Sequence, residues 1–289
     1  MDEGKDKDEG VKAQYGVFIP THGRAKSQIT MNMLLDCGFT GDIWLVCDNL
    51  DDSLDEYIEL YGERVLVFDK RDWAMRTDRL TNDVELGTVL YARNYIQEIG
   101  KQKGYDVIGV FDDDLDSFSI RYEKDGGLQT HLMEDGMDDL IAGIVEFVLD
   151  GNIMAMSIAH NGGYFGGLEG EFKEGLTRNP SGAWFMNLTE KLPQCFRGIV
   201  NEDSIYVRDA GRVGGLVFKL MDVMFSTPKR GTNEGGHSEM YSEMSKYIHS
   251  SYVMIASPST MRMLEDGSRR TNRKAIHSEI ISERWRKDG

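Results

Sequence analysis

Asp106-Val-Ile-Gly-Val-Phe111 runs directly into Asp112-Asp113-Asp114. The apolar run reads as a buried strand, and the acidic triplet stands at its carboxyl end. Just upstream, Val89, Ala92, Ile96 and Ile99 recur at helical spacing between Thr88 and Gly100, which predicts an amphipathic helix stopped by the Gly100 to Gly104 stretch. Further back, Tyr15-Gly-Val-Phe-Ile-Pro20 predicts a strand that ends in the loop Thr21-His-Gly-Arg24. A helix from about Ser27, its expected cap, to Asp36 follows, then a strand Asp42 to Cys47, an acidic turn Asp48 to Asp52, a helix to about Tyr61 and a strand Arg64 to Phe68. Strands alternating with helices require crossovers, and crossovers give parallel strands with helices on the faces of the sheet. The expected fold is therefore α/β, with a mostly parallel central sheet. In open sheets of this class ligands bind beyond the carboxyl ends of the strands, which is where the triplet stands.

The second half is less regular. Ser117 to Glu123 alternates like an edge strand and turns at Asp125-Gly126-Gly127. Met137, Leu140, Ile141, Ile144, Val145, Val148 and Leu149 form the clearest helical stripe in the chain. Strands are expected near Ile153 to His160 and Ala183 to Leu188, with the glycine-rich loop Gly162 to Gly167 between them and a helix from about Glu202. No internal repeat or interdomain linker interrupts the pattern. The expected organisation is an acidic leader over 1–14, one domain over 15–261 and a basic segment over 262–289. The domain itself divides into a regular first half, 15–116, and a less regular second half, 117–261.

Composition narrows the function classes. Of 289 residues 40% are apolar and 28% charged, an ordinary globular mix, and no run approaches the roughly 18 uncharged apolar residues of a membrane span. With no apolar leader, the expected compartment is the cytoplasm. Three cysteines cannot build a disulfide framework and are expected as reduced structural thiols, and the 16 methionines as core filler. The net charge of −16 works against general attraction to nucleic acid, so a polyanionic partner needs a local basic patch. Arg262 to Lys287 supplies one, with eight basic residues against four acidic, and is otherwise a solvated tail.

Asp112 and Asp114 sit two apart and are expected to project toward one point while Asp113 projects away. Paired hard carboxylates suit Mg²⁺ or Mn²⁺, which completes its shell with water and substrate phosphates. The plain structural alternative is a capped turn, where Asp is common. The chain contains no G-x-x-x-x-G-K-[ST] loop, no H-E-x-x-H and no paired C-x-x-C, which argues against a P-loop NTPase or a zinc hydrolase.

Ile19-Pro20-Thr21-His22-Gly23-Arg24 after the first strand, Asp48 after the second and the acidic triplet after the fourth resemble the GT-A class of nucleotide-sugar glycosyltransferases, over about residues 15 to 225. Ala92-Arg93-Asn94 on the helix before Phe111-Asp-Asp-Asp-Leu115 is more particular. It is similar to the bacteriophage-type DNA glycosyltransferases associated with TET/JBP-like base oxygenases, which decorate 5-hydroxymethylated pyrimidines. The resemblance implies a nucleotide-sugar donor, such as a UDP-sugar, with Thr21 and Arg24 beside the nucleotide. It implies Asp48 at the uracil edge, Arg93 at the base or diphosphate, Asp113 at the ribose, and the metal held by Asp114 with Asp112 directly or through water. Each residue alone also has a structural reading, as a cap, a turn residue or a salt-bridge partner.

Asn201-Glu202-Asp203 resembles the acidic motif that this class places at a helix start facing the acceptor. In an inverting enzyme Asp203 would take the proton of the acceptor hydroxyl, with Glu202 beside it, while an acidic helix start is also what the helix dipole favours. A late histidine often serves this class as a third metal ligand, for which His237 is the candidate and His277 the reserve. Trp184 is a candidate for stacking on a sugar or an extruded base, and Gly163 for lining the acceptor side. The implied acceptor is hydroxymethylated DNA, reached through the 262–287 segment. Competing readings are a glycosyltransferase acting on saccharide or protein, a sugar nucleotidyltransferase, and a non-catalytic nucleotide-binding module.

Overall fold

The computed structural model of the protein describes residues 13–161, 182–190, 195–228, 246–258, 261–265 and 271–275. In chain order the first half runs β1 (Tyr15–Pro20), α1 (Ile29–Asp36), β2 (Asp42–Asp48), α2 (Leu54–Tyr61), β3 (Val65–Phe68), α3 (Lys70–Arg76), α4 (Leu90–Gln102) and β4 (Val107–Phe111). There follow β5 (Ser117–Lys124), β6 (Gly127–Leu132), α5 (Met137–Asp150), β7 (Ala155–His160), β8 (Ala183–Asn187), α6 (Glu202–Arg212) and β9 (Val217–Ser226). Last come α7 (Lys246–Ala256) and a separate antiparallel pair, β10 (Met261–Glu265) with β11 (Thr271–Ala275).

Among the described residues nine strands form one sheet in the order β3-β2-β1-β4-β8-β7-β9-β5-β6. The pairs β3·β2, β2·β1, β1·β4 and β7·β9 are parallel, and the other four ladders are antiparallel, so only β8 and β5 run against the rest. β1 is flanked on both sides and buried after its first residue, the pattern of a central strand whose two faces are covered by helices.

Alternation along the strands sends neighbouring side chains into two separate cores. Val17, Ile19, Leu45, Cys47 and Phe111 pack with Leu34 of α1, Tyr57 of α2 and Ile141 and Ile144 of α5. Phe18, Val46, Val110, Trp184 and Met186 pack with Ile96 of α4, Tyr206 of α6 and Tyr252 of α7. Trp184 is therefore not a stacking platform: its indole is 1% exposed and meets Phe196 and Tyr206 edge-on, beneath α6. The whole of β8 is buried, and its register with β4 assigns the tryptophan to that inner face.

Several local expectations are revised. α1 starts at Ile29, with Gln28 rather than Ser27 at the cap position and no side-chain cap bond; the Gln28 amide instead donates to the Arg24 carbonyl at 2.8 Å. β5 lies between β9 and β6, so β6 forms the edge; one solvated face produces the same alternation whether or not a strand is flanked. The expected divide at 261/262 falls inside β10, and Arg262 is paired in register with Lys274, so this part of the basic segment is strand rather than tail. All three cysteines are free, and among the described residues no helix is long and apolar enough to cross a membrane.

Candidate active site

In a 3-2-1-4 strand order the crevice at the carboxyl edge opens between β1 and β4, where the chain reverses its direction of build across the sheet. The loop after β1 and the acidic turn after β4 meet at this place. Thr21 Oγ1 donates to Asp113 Oδ2 at 2.9 Å, and Arg24 Nη1 to Asp113 Oδ1 at 2.5 Å. The Tyr57 hydroxyl, on the only fully inward side chain of α2, sits 2.8 Å from Thr21 Oγ1 and accepts the Arg24 N–H at 2.9 Å. This cluster fixes the β1 loop before any ligand arrives.

The acidic turn is anchored through its backbone. Thr30 of α1 donates its hydroxyl to the Asp112 carbonyl at 2.6 Å and accepts the Leu115 N–H at 2.9 Å. The Asp112 N–H reaches the Gly182 carbonyl at 2.7 Å. Gly182 has φ +71°, and a Cβ there would lie 2.4 Å from the Phe225 ring, so both conformation and space require glycine.

Asp113 and Asp112 point to different partners. Asp113 faces the β1 loop, while Asp112 Oδ1 accepts from Arg93 Nη2 of α4 at 3.1 Å. Burial, opposed by Arg24 and Thr21 and reinforced by Asp114 and Asp112, pushes the Asp113 carboxyl up to about 6. Asp114 is also raised, by burial first and then by the charge of Asp112. Asp114 thus feels the charge of Asp112, two residues before it. Among the described residues no three His, Cys, Asp or Glu side chains form a ready ligand set.

Arg93, expected at the base or the diphosphate, is instead sealed in, 5% exposed. Its Nη1 donates to Glu202 Oε1 at 2.6 Å, across 109 residues, while Nη2 holds Asp112. Burial opposes its charge, but Asp112, Glu202 and Asp203 more than compensate and keep it protonated. Glu202 is pushed up by burial, against the pull of Arg93. Glu202 is thus committed to an internal ion pair, and its neighbour Asp203, at the first turn of α6, is the more accessible of the two.

Asp48 ends β2 almost wholly buried. Its Oδ2 accepts from Lys70 Nζ at 2.8 Å and lies 2.9 Å from His22 Nδ1, and its Oδ1 accepts the Leu50 N–H at 3.1 Å. Burial opposes its charge, yet bonds from His22 and Lys70 outweigh it and hold the carboxyl down at about 2. His22 is raised, chiefly by its bond to Asp48. The adjacent Asp51 accepts the Gly23 N–H at 2.8 Å and ties this corner to the β1 loop.

Lys70 and Tyr57 were missed in the sequence. Lys70 lies two residues beyond the end of β3, as Asp48 lies at the end of β2, so the rule applied to the other strand ends reaches it too; Tyr57 carries no local signal. Gly163, His237 and His277 lie outside the described residues.

The sequence profile of the TET-associated glycosyltransferases matches residues 15–236. The chain belongs to that family, and so to the glycosyltransferases. A search of curated proteins finds no match. Among solved structures, the chain is similar to a mannosyltransferase from Pyrobaculum calidifontis in complex with GDP-Man and Mn²⁺, with 15% identity, a TM-score of 0.47, and coverage of 77% of this chain and 59% of that one. It is also similar to residues 1–349 of S. aureus TarS in complex with UDP, with 14% identity, a TM-score of 0.41, and coverage of 74% and 60%. The chain thus spans about three fifths of the length of these two structures.

Proposed function

We propose that this glycosyltransferase moves a sugar from a nucleotide donor, a UDP-sugar in the first instance, to the hydroxymethyl group of a 5-hydroxymethylated pyrimidine in DNA, with Mn²⁺ or Mg²⁺. The observation that carries the donor half is the meeting of Thr21, Arg24 and the Asp112 to Asp114 turn at the β1/β4 crevice. Asp112 and Asp114 would hold the cation, which when bound neutralises the charge growing on the departing nucleoside diphosphate. Arg24 and Thr21 orient the donor by fixing Asp113 toward the ribose. Asp48, held ionised by Lys70 and His22, offers a carboxylate to the N–H edge of the base. Asp203 takes the proton of the acceptor hydroxyl if the reaction inverts configuration, with Glu202 serving to place it.

The acceptor assignment rests on the family to which the chain belongs and on the excess of basic residues from Arg262 to Lys287 in an otherwise acidic chain. The test is a screen of nucleotide sugars with Mn²⁺ against unmodified and hydroxymethylated DNA, with the nucleosides weighed after digestion. A hexose mass added only to the hydroxymethylated nucleoside is the expected result. Release of nucleoside diphosphate with no gain on either DNA would refute the DNA acceptor.

A further inference from the structure

Residues 195–201 make no regular secondary structure, yet they deliver Glu202 and Asp203 to the crevice. Something other than a ladder must hold them. The side chain of Asn94, 6% exposed on α4, meets Phe196 as an opposite strand would: Oδ1 accepts the Phe196 N–H at 2.7 Å and Nδ2 donates to the Phe196 carbonyl at 2.9 Å. Nδ2 also reaches Thr77 Oγ1 at 3.3 Å. The segment is fastened again further along, where Thr88 Oγ1 donates to the Ile199 carbonyl at 3.1 Å and the Gly198 N–H reaches the Asp78 carbonyl at 2.9 Å. One residue before Asn94, Arg93 grips Glu202 itself.

We infer that Asn94 is a positioning residue for the Glu202-Asp203 pair: its side-chain amide replaces a strand partner for Phe196 and sets where α6 begins. The role deepens the proposed function, since it gives the pair a fixed place relative to the acidic turn. An amide suits the task because it offers one donor and one acceptor in a plane, matching the N–H and C=O of a single residue. With Asn94 removed, both Phe196 groups are left buried without their partner, and the segment must shift to find water. A displacement of about 1 Å at a catalytic carboxylate is enough to cost on the order of 100-fold in rate.

The test reads geometry and turnover separately. In the full chain, the interaction between Arg93 and Glu202 is measured as the non-additivity of Arg93→Met and Glu202→Met in urea unfolding, first with Asn94 present and then in an Asn94→Ala background. Hydrogen exchange of the Phe196 amide is followed in parallel. The expected result is faster exchange at Phe196, unchanged exchange along α4 and a coupling that falls by about 10-fold in equilibrium constant, where a merely structural asparagine would lower stability and leave the coupling alone. With UDP-glucose and Mn²⁺, kcat should fall while KM for the donor holds. Unchanged coupling overturns the inference, whatever happens to stability. If Asn94→Ala does not fold, Thr88→Val cuts the strap at Ile199, together with the acceptor of the Leu90 N–H at the start of α4, and should give faster exchange at Phe196 and a smaller fall in coupling; an unmoved coupling there also overturns it. A wild-type protein that turns over no nucleotide sugar would refute the proposed function while this geometric result stood.

Discussion

Removing Arg93 should be far more damaging than removing the glutamate it holds. The guanidinium and the Glu202 carboxylate have side-chain exposures of 6% and 9% and are 2.6 Å apart, whereas Asp112, the other partner, is 37% exposed. Arg93→Met strands Glu202 in the interior, and breaking a buried pair from one side costs about 3–5 kcal/mol. Glu202→Met leaves Arg93 bonded to Asp112 with Asp203 nearby, so the loss should be about 1–3 kcal/mol. The double replacement removes both buried charges together, and the half-hydrated Asp112 can turn to water. It should be less destabilised than Arg93→Met alone, with a coupling of roughly 2 kcal/mol, inside the range seen for contacting residues. Urea unfolding followed by circular dichroism on the four proteins closes the cycle. The cost of Arg93→Met should also shrink as pH falls, because the stranded carboxyl, already raised by burial, can neutralise itself with a proton. Losses that simply add, at every pH, would refute the idea that this ion pair joins the two halves of the site.

Three further outcomes follow from the same geometry. Asp48, depressed from 3.8 to about 2, contributes about 2 kcal/mol that is present above pH 4 and lost as pH falls through 2, whereas His22, raised above 6.5, contributes below that value and loses it as pH rises through its folded pKa. Stability measured by denaturant should therefore peak between these limits, with Asp48→Asn flattening the acid limb and His22→Gln the alkaline one. Gly182→Ala should cost about 3 kcal/mol from its left-handed backbone and the clash with Phe225, and should weaken Mn²⁺-dependent UDP binding in calorimetry because the Gly182 carbonyl anchors Asp112. Asp114→Ala should abolish Mn²⁺-dependent release of nucleoside diphosphate while leaving the unfolding midpoint level or higher, since it removes a like charge beside Asp112; an unaffected rate would dismiss it as a metal ligand.

The parts of the fold legible in the sequence are those where one physical signal dominates. β1, β2 and β4 are continuous apolar runs because both their faces are covered, and α5 shows its stripe because one side of it is solvated. β9 escaped notice because Lys219 and Asp222 interrupt a strand that is only partly buried. α3 is seven residues rich in charge, and its one cue, Asp69 capping the Asp72 N–H, lies in a stretch without apolar rhythm. At the site, strand ends could be found but their connections could not: Thr21 to Asp113 spans 92 residues and Arg93 to Glu202 spans 109, and no local pattern encodes such pairings. Trp184 was misplaced because composition identifies an aromatic residue but not which side of a fully buried strand it occupies.

The Thr30 hydroxyl has a consequence for how the protein should respond to salts and ligands. By bonding both ends of the acidic turn it prevents three neighbouring carboxylates from spreading apart, so their mutual repulsion is built into the native state and is relaxed when the chain unfolds. Any species that quenches this repulsion must bind the folded form in preference, and its occupancy will register as a rise in melting temperature. The turn thereby makes heat resistance a gauge of how well it is neutralised.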